Sequence, residues 1–265
     1  EDFRIIIGMS PSATFALHTF WKSPDLFDAH FLFAATDVIG MGYTPETTFI
    51  DKIAESLAKH PERKGYLYVA SAGQEAKKKK ERGENVAALK TALKPYTDKN
   101  FRLRVEHIDE FGHYPMALPG LINAIDLVFP RTDWDMSGKF KNFINKEGNA
   151  LENILNRYKE LSEQVGFTVR PNVDLRRNAS SLRVAAYRLR NNKRYEESEQ
   201  VYRYWINNSP NSVKAWAGLA ATMEANNQVE QSLATNQKAL KLATSQKSPY
   251  ISMLETKVSE LQNKN

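Results

Sequence analysis

The chain has 265 residues, a length that suits two domains, and at 42% hydrophobic and 11% aromatic it can bury a core. It has no cysteine, which excludes disulfides, thiolate metal sites and cysteine nucleophiles, and no apolar run approaches the roughly 18 residues that a membrane span needs. The net charge of +6 is concentrated between Arg170 and Arg194, where eight basic residues stand against one acid, Asp174. No nucleic-acid module follows them, so the stretch reads as a solvated helix surface and no nucleic-acid partner is expected.

Residues 1–135 alternate strand and helix signals. Phe3–Gly8, His30–Ala35, Gly65–Ala70 and Phe101–His107 are short runs of apolar, aromatic and β-branched residues bounded by turn formers. Helical patterns follow each in turn, over Ser12–Lys22, Thr47–Lys59, Asn85–Leu93 and Leu118–Val128. Strands separated by helices predict a parallel sheet with helices on its faces. "AKKKKER" (Ala76 to Arg82) reads as a solvated helix start. No signal peptide is visible, because the chain opens with two acids and a strand.

After Trp134 the strand signal stops. Ser137 can cap a helix in which Phe140, Phe143, Ile144, Leu151, Ile154, Leu155, Tyr158, Leu161 and Val165 recur every three or four residues, bent at Gly148 and ended at Gly166. "VRPNVD" is a linker. Beyond it an offset of 34 pairs Leu182 with Trp216, Ala185 with Leu219, Ala186 with Ala220, Leu189 with Met223, Tyr195 with Val229, Ser198 with Ser232 and Tyr202 with Asn236. That period and pattern resemble the tetratricopeptide repeat, a helix–turn–helix unit. The expected organisation is therefore 1–135 as an α/β domain, 136–178 as a connecting helix and linker, and 179–265 as two such repeats with a capping helix at Pro249–Leu261.

One stretch carries chemistry. "FRIIIGMSPSATFALHTFW" (Phe3 to Trp21) is a strand, a tight turn holding Ser10, and an amphipathic helix. A nucleophile elbow of the G-x-S-x-G type needs small residues on both sides of its serine. Gly8, Met9, Ser10 and Pro11 supply the first half of that pattern, and Ser12 replaces the second glycine with another small residue. The order Ser, acid, His then sorts the rest. His18 lies on a helix, His30 begins a strand and His60 ends a helix; His107 ends the last strand and His113 follows it, in "DEFGHYPMALPG". Placement favours His113. Glu75 is the first carboxylate past the third strand, with Glu81 and Glu84 as rivals further along. In these roles Ser10 attacks an acyl carbon, His113 moves the proton and Glu75 orients the imidazole. No Gly-rich phosphate loop and no cluster with metal spacing is present, so neither cofactor nor metal is expected.

"RIIIGMSPSATFALHTFWKSPDLFDAHFLF" resembles the middle of a bacterial esterase family of the α/β-hydrolase fold, related to siderophore esterases and mycolyltransferases. "GQE" and "GHY" fall where that family keeps its acid and histidine, and "RYKELSEQVGF" with the repeats resembles the C-terminal extension of one branch. The resemblance implies hydrolysis of a small-molecule carboxylic ester by Ser10, Glu75 and His113. It implies that the front half of the hydrolase sheet, some 100 residues ahead of the elbow, is absent here. It also implies that the strands form one contiguous block with Phe3–Gly8 outermost, where self-association through residues 3–8 is expected. Many members are exported, to the periplasm or beyond. Pro11 departs from the pattern, since the residue after the nucleophile normally donates its backbone N–H to the oxyanion and proline has none. The alternative is a weakened hydrolase that binds a protein or acidic peptide through its repeats, along a basic groove made by Arg183, Tyr187 and Arg190.

Overall fold

The computed structural model describes residues 3–97 (backbone only at 36 and 37), 101–136, 139–174 and 181–264. Its contacts divide the chain into two compact units. One holds residues 1–134 with 165–167, and the other holds 135–164 with 168–265.

The first unit is a mixed α/β layer structure. Its elements run β1 (Ile5–Met9), α1 (Ser12–Lys22), β2 (Ala29–Phe33), α2 (Thr36–Gly40), β3 (Gly42–Thr44), β4 (Thr47–Thr48), α3 (Phe49–Lys59), β5 (Gly65–Ala72), α4 (Gly73–Lys78), α5 (Lys80–Leu93), β6 (Phe101–Ile108), α6 (Ala117–Val128) and α7 (Arg131–Trp134). Four strands form one parallel sheet in the order β1-β2-β5-β6. The burial follows from that order. Every residue of β2 and β5 is buried, as central strands require, whereas β1 at one edge exposes Ile5 and Ile7 and β6 at the other carries Arg102 and Arg104. One face packs Leu32, Leu67 and Val69 against Leu17, Phe20, Ile53, Leu89 and Leu93 of α1, α3 and α5. The other packs Phe31, Phe33, Tyr66 and Tyr68 against Met116, Ala124 and Val128 on and beside α6.

Three boundaries differ from the sequence pattern for local reasons. Thr47 and Thr48 pair with Gly42–Thr44 as a small antiparallel ribbon rather than opening a helix. α3 begins only at Phe49, where Thr48 and Asp51 satisfy each other's backbone N–H groups as a capping box. The lysine run is not a simple helix start, because Lys79 is extended (φ −128°, ψ 103°) and splits it into α4 and α5.

The second unit is helical: α8 (Lys139–Asn145), α9 (Ala150–Val165), α10 (Leu182–Asn191), α11 (Tyr195–Asn208), α12 (Val213–Ala225), α13 (Val229–Ser245) and α14 (Ile251–Gln262). Gly148, at φ 92°, breaks the long helix rather than bending it, and Asn149 Oδ1 then caps α9 by accepting from the backbone N–H groups of Leu151 and Glu152 at 3.0 and 3.1 Å. Ser137, Arg176, Arg177 and the boundary near 178 lie outside the described residues. The turns closing α10–α11 and α12–α13 are built alike at a spacing of 34. Lys193 and Asn227 take left-handed backbones at φ 59° and 60°. Arg194 N–H donates to Leu189 O as Gln228 N–H does to Met223 O, both at 2.9 Å. Ser198 Oγ donates to Ala186 O at 2.8 Å, and Ser232 Oγ to Ala220 O at 2.9 Å.

The basic stretch is more than a solvated surface. Arg194 clamps Glu197 through two nitrogens and donates to Ile144 O. Arg183 and Lys214 both pair with Asp174, and Arg188 Nη1 is buried without a partner.

Candidate active site

The elbow is set by three close approaches. A Cβ on Gly8 would stand 2.7 Å from Ala13 Cα and from Ser12 O, so only glycine lets α1 fold back onto the end of β1. Ser10 turns the chain at φ 54°, a left-handed conformation that a serine adopts only under constraint, and its N–H donates to Phe33 O on β2 at 2.9 Å. Ser12 Oγ accepts from Met9 N–H and donates to Met9 O, each at 2.8 Å. Met9 itself is half-buried against the aromatic face of the sheet. Pro11, at φ −57° and ψ −33°, starts α1 in helical conformation and offers no N–H to the space in front of Ser10.

The acid and the histidine come from loops after β5 and β6, and these loops are latched together. Gly73 has its missing Cβ position 2.4 Å from Asp109 Cα, a contact no larger residue permits. Gln74 donates from its backbone N–H to Phe111 O at 3.4 Å and from Nε2 to Glu110 O at 3.2 Å. The loop after β6 therefore returns across the end of β5, and Glu75 Oε1 meets His113 Nδ1 at 3.0 Å. Both side chains are about a quarter exposed, at 23% and 25%.

The four strands are parallel, so their C-terminal ends lie along one edge of the sheet, where Ser10, Glu75 and His113 all sit. The structure brings Glu75 and His113 into contact. No hydrogen bond joins Ser10 Oγ to His113 among the described residues. Glu81 and Glu84 are exposed on α5, and Glu84 is occupied by Lys80 at 3.1 Å.

Two of the other histidines are engaged elsewhere. His107 hydrogen-bonds the buried Ser71 on the neighbouring strand, and burial lowers its pKa. His30 is buried beside Thr19, and burial, aided by Arg63, holds its pKa down to about 3, so it stays neutral at ordinary pH.

Arg82 escapes a reading by pattern. It lies at the end of the lysine run, yet its side chain is only 12% exposed and Nη1 reaches Glu75 Oε2 at 2.6 Å. The segment is thus not wholly solvated, as its composition suggests. In one continuous helix residues 75 and 82 would lie about 10 Å apart along the axis; the break at Lys79 folds α5 back so that they touch. A single Arg closing a row of lysines was the available signal, since its planar fork suits a carboxylate.

Elsewhere, Arg183, Tyr187 and Arg190 line one groove of about 390 Å³ in the helical unit, together with Tyr202, Lys214 and Tyr250. The Arg190 guanidinium lies 5.2 Å from the centre of the Tyr187 ring. No helix of the described residues is long and apolar enough to cross a membrane.

No family model matches the chain, and no curated protein does. One solved structure with a similar trace is an IroE-like serine hydrolase from Shewanella oneidensis, 15% identical with a TM-score of 0.44; the match covers 76% of this chain and 56% of that one. The chain thus spans little more than half the length of the structure it matches.

Proposed function

We propose that the α/β unit hydrolyses a carboxylic ester with Ser10 as nucleophile, His113 as base and Glu75 as the group that orients it. The observation that carries this is the 3.0 Å bond from His113 Nδ1 to Glu75, at the same sheet edge as a serine held at φ 54°. With Nδ1 donating to the carboxylate, the other ring nitrogen, Nε2, is the one left to act as base. Ser10 Oγ adds to the acyl carbon as Nε2 takes its proton. The C–O bond then breaks and His113 returns the proton to the departing alcohol. Water repeats the sequence on the acyl-serine and releases the acid. Pro11 removes one donor to the oxyanion, which costs on the order of 10² to 10³ in rate, so a slow enzyme is expected. A fluorophosphonate probe is the test: the wild type labels and Ser10→Ala does not. Absence of labelling on the folded wild type would sink the assignment.

A second reading is favoured by the groove at Arg183, Tyr187 and Arg190. On it, the helix pairs over 179–246 are tetratricopeptide-like repeats that hold an acidic peptide, with Arg190 as the cation not already tied to Asp174. Fluorescence anisotropy of a labelled Glu-rich peptide should show salt-sensitive binding that Arg190→Glu weakens; equal binding by both proteins excludes the groove. The outer edge of β1, unpaired among the described residues, adds a third partner surface, suited to self-association.

A further inference from the structure

The geometry points to Arg82 as a positioning residue for the acid of the candidate site, an inference that rests on the esterase reading and adds to it. A glutamate has one more rotatable bond than an aspartate, so fixing its carboxylate in one orientation gives up more rotamer freedom. One hydrogen bond to an imidazole leaves its second oxygen free to swing. Here the two oxygens are divided: Oε1 lies 3.0 Å from His113 Nδ1 and Oε2 lies 2.6 Å from Arg82 Nη1. Rotation of the carboxylate would break both contacts together.

The arginine is placed for this by the chain itself. Lys79 breaks the helix, α5 starts at Lys80, and Arg82 falls in the first turn of α5 facing α4. Its neighbour Lys80 goes outward, 92% exposed and paired with Glu84 at 3.1 Å, whereas Arg82 is 12% exposed. A guanidinium is rigid, weakly hydrated and always charged, so it tolerates that burial better than an ammonium. Arg82 therefore holds Glu75, Glu75 holds the imidazole, and the latch at Gly73 and Gln74 holds the two loops. Arg82 acts through Glu75 and touches no substrate.

A residue that only fastened α5 to α4 would change stability alone, so the test reads the histidine. The downfield proton NMR signal of His113 Nδ1–H, identified by its loss in His113→Asn, reports the bond to Glu75. In Arg82→Met this signal should broaden away, and kcat on a short p-nitrophenyl ester should fall about tenfold to a hundredfold with KM within about twofold, as expected for misplacement of a catalytic group. Arg82→Lys, which restores the charge and part of the reach, should recover the signal and much of kcat. An undiminished signal in folded Arg82→Met overturns the inference whether or not the wild type hydrolyses esters, and so does an unchanged kcat. Failure of the wild type to label with fluorophosphonate, with the signal lost in Arg82→Met, overturns the esterase assignment and leaves Arg82 holding the Glu75–His113 pair.

Discussion

Ser10 holds a left-handed backbone at φ 54°, a conformation that costs a non-glycine residue roughly 1–2 kcal/mol. The surrounding chain imposes it. Gly8 lets α1 press against the strand, Ser12 ties itself to both backbone groups of Met9, and Ser10 N–H is anchored on β2. Pro11 fits this turn sterically and, on the proposed mechanism, has no N–H to offer the oxyanion. Pro11→Ala should therefore raise kcat for ester hydrolysis by about tenfold or more if the restored N–H faces the oxyanion. The same change should cost about 0.4–1 kcal/mol of stability, because alanine leaves the unfolded chain freer. Stopped-time assays on a p-nitrophenyl ester with parallel urea titrations check both signs, and an unchanged kcat shows that the oxyanion is held from elsewhere. Ser10 was legible in sequence because strand, turn and helix signals meet at it. Arg82 was not, because a run of lysines on a helix normally meets solvent.

At the scale of elements, the two helix pairs show how a repeat is written in packing. The positions 34 apart that close the turns share backbone geometry although their residues differ: Lys193 and Asn227, both near φ 60°. Asparagine visits that region readily and lysine does not. Lys193→Gly should accordingly stabilise the protein by about 0.5–1 kcal/mol, while Asn227→Gly should gain less. Equal shifts in urea midpoint for the two would contradict this account. Ser198 and Ser232 were readable only as small residues in register; their hydroxyls turn out to bond the carbonyls of Ala186 and Ala220 on the paired helix. The long helix after Trp134 shows the opposite case. Its apolar spacing runs on through Gly148, but φ 92° there breaks it, since periodicity reports which side is apolar and not whether the backbone is continuous.

For the molecule as a whole, the strand order leaves β1 as an edge. In a parallel pair alternate residues face the partner strand. Arg4 O and Ser10 N–H are bonded to β2, so Ile5, Ile7 and Met9 turn their backbone groups outward. Ser12 Oγ already occupies both groups of Met9, which narrows the open edge to Ile5 and Ile7, at 40% and 53% exposure. A short, uncharged, apolar edge invites pairing with another chain. The wild type is expected to self-associate with rising concentration, and Ile7→Lys to shift it toward the monomer, as read by size-exclusion chromatography with light scattering. A wild type that stays monomeric at the highest concentrations rules out this contact. Ile7 suits the test better than Ile6, which packs into the core.

The sequence by itself determined the local features. Apolar runs bounded by turn formers mark the four sheet strands, spacing of three and four marks the helices, a 34-residue period marks the paired helices, and a small-residue turn marks the elbow. Each is encoded within a few neighbouring residues, where backbone sterics and side-chain alternation act directly. Chain order had already put Glu75 ahead of its rivals and favoured His113; tertiary structure alone decided that these two side chains touch, that His107 turns to Ser71, and that one basic residue of "AKKKKER" faces inward. Glu75 and His113 lie 38 residues apart, and their meeting depends on a backbone contact at Gly73 and a latch at Gln74, while a break at Lys79 brings Arg82 to the same carboxylate. Contacts of that kind arise when strands set side by side bring their loops together, and no local pattern records them.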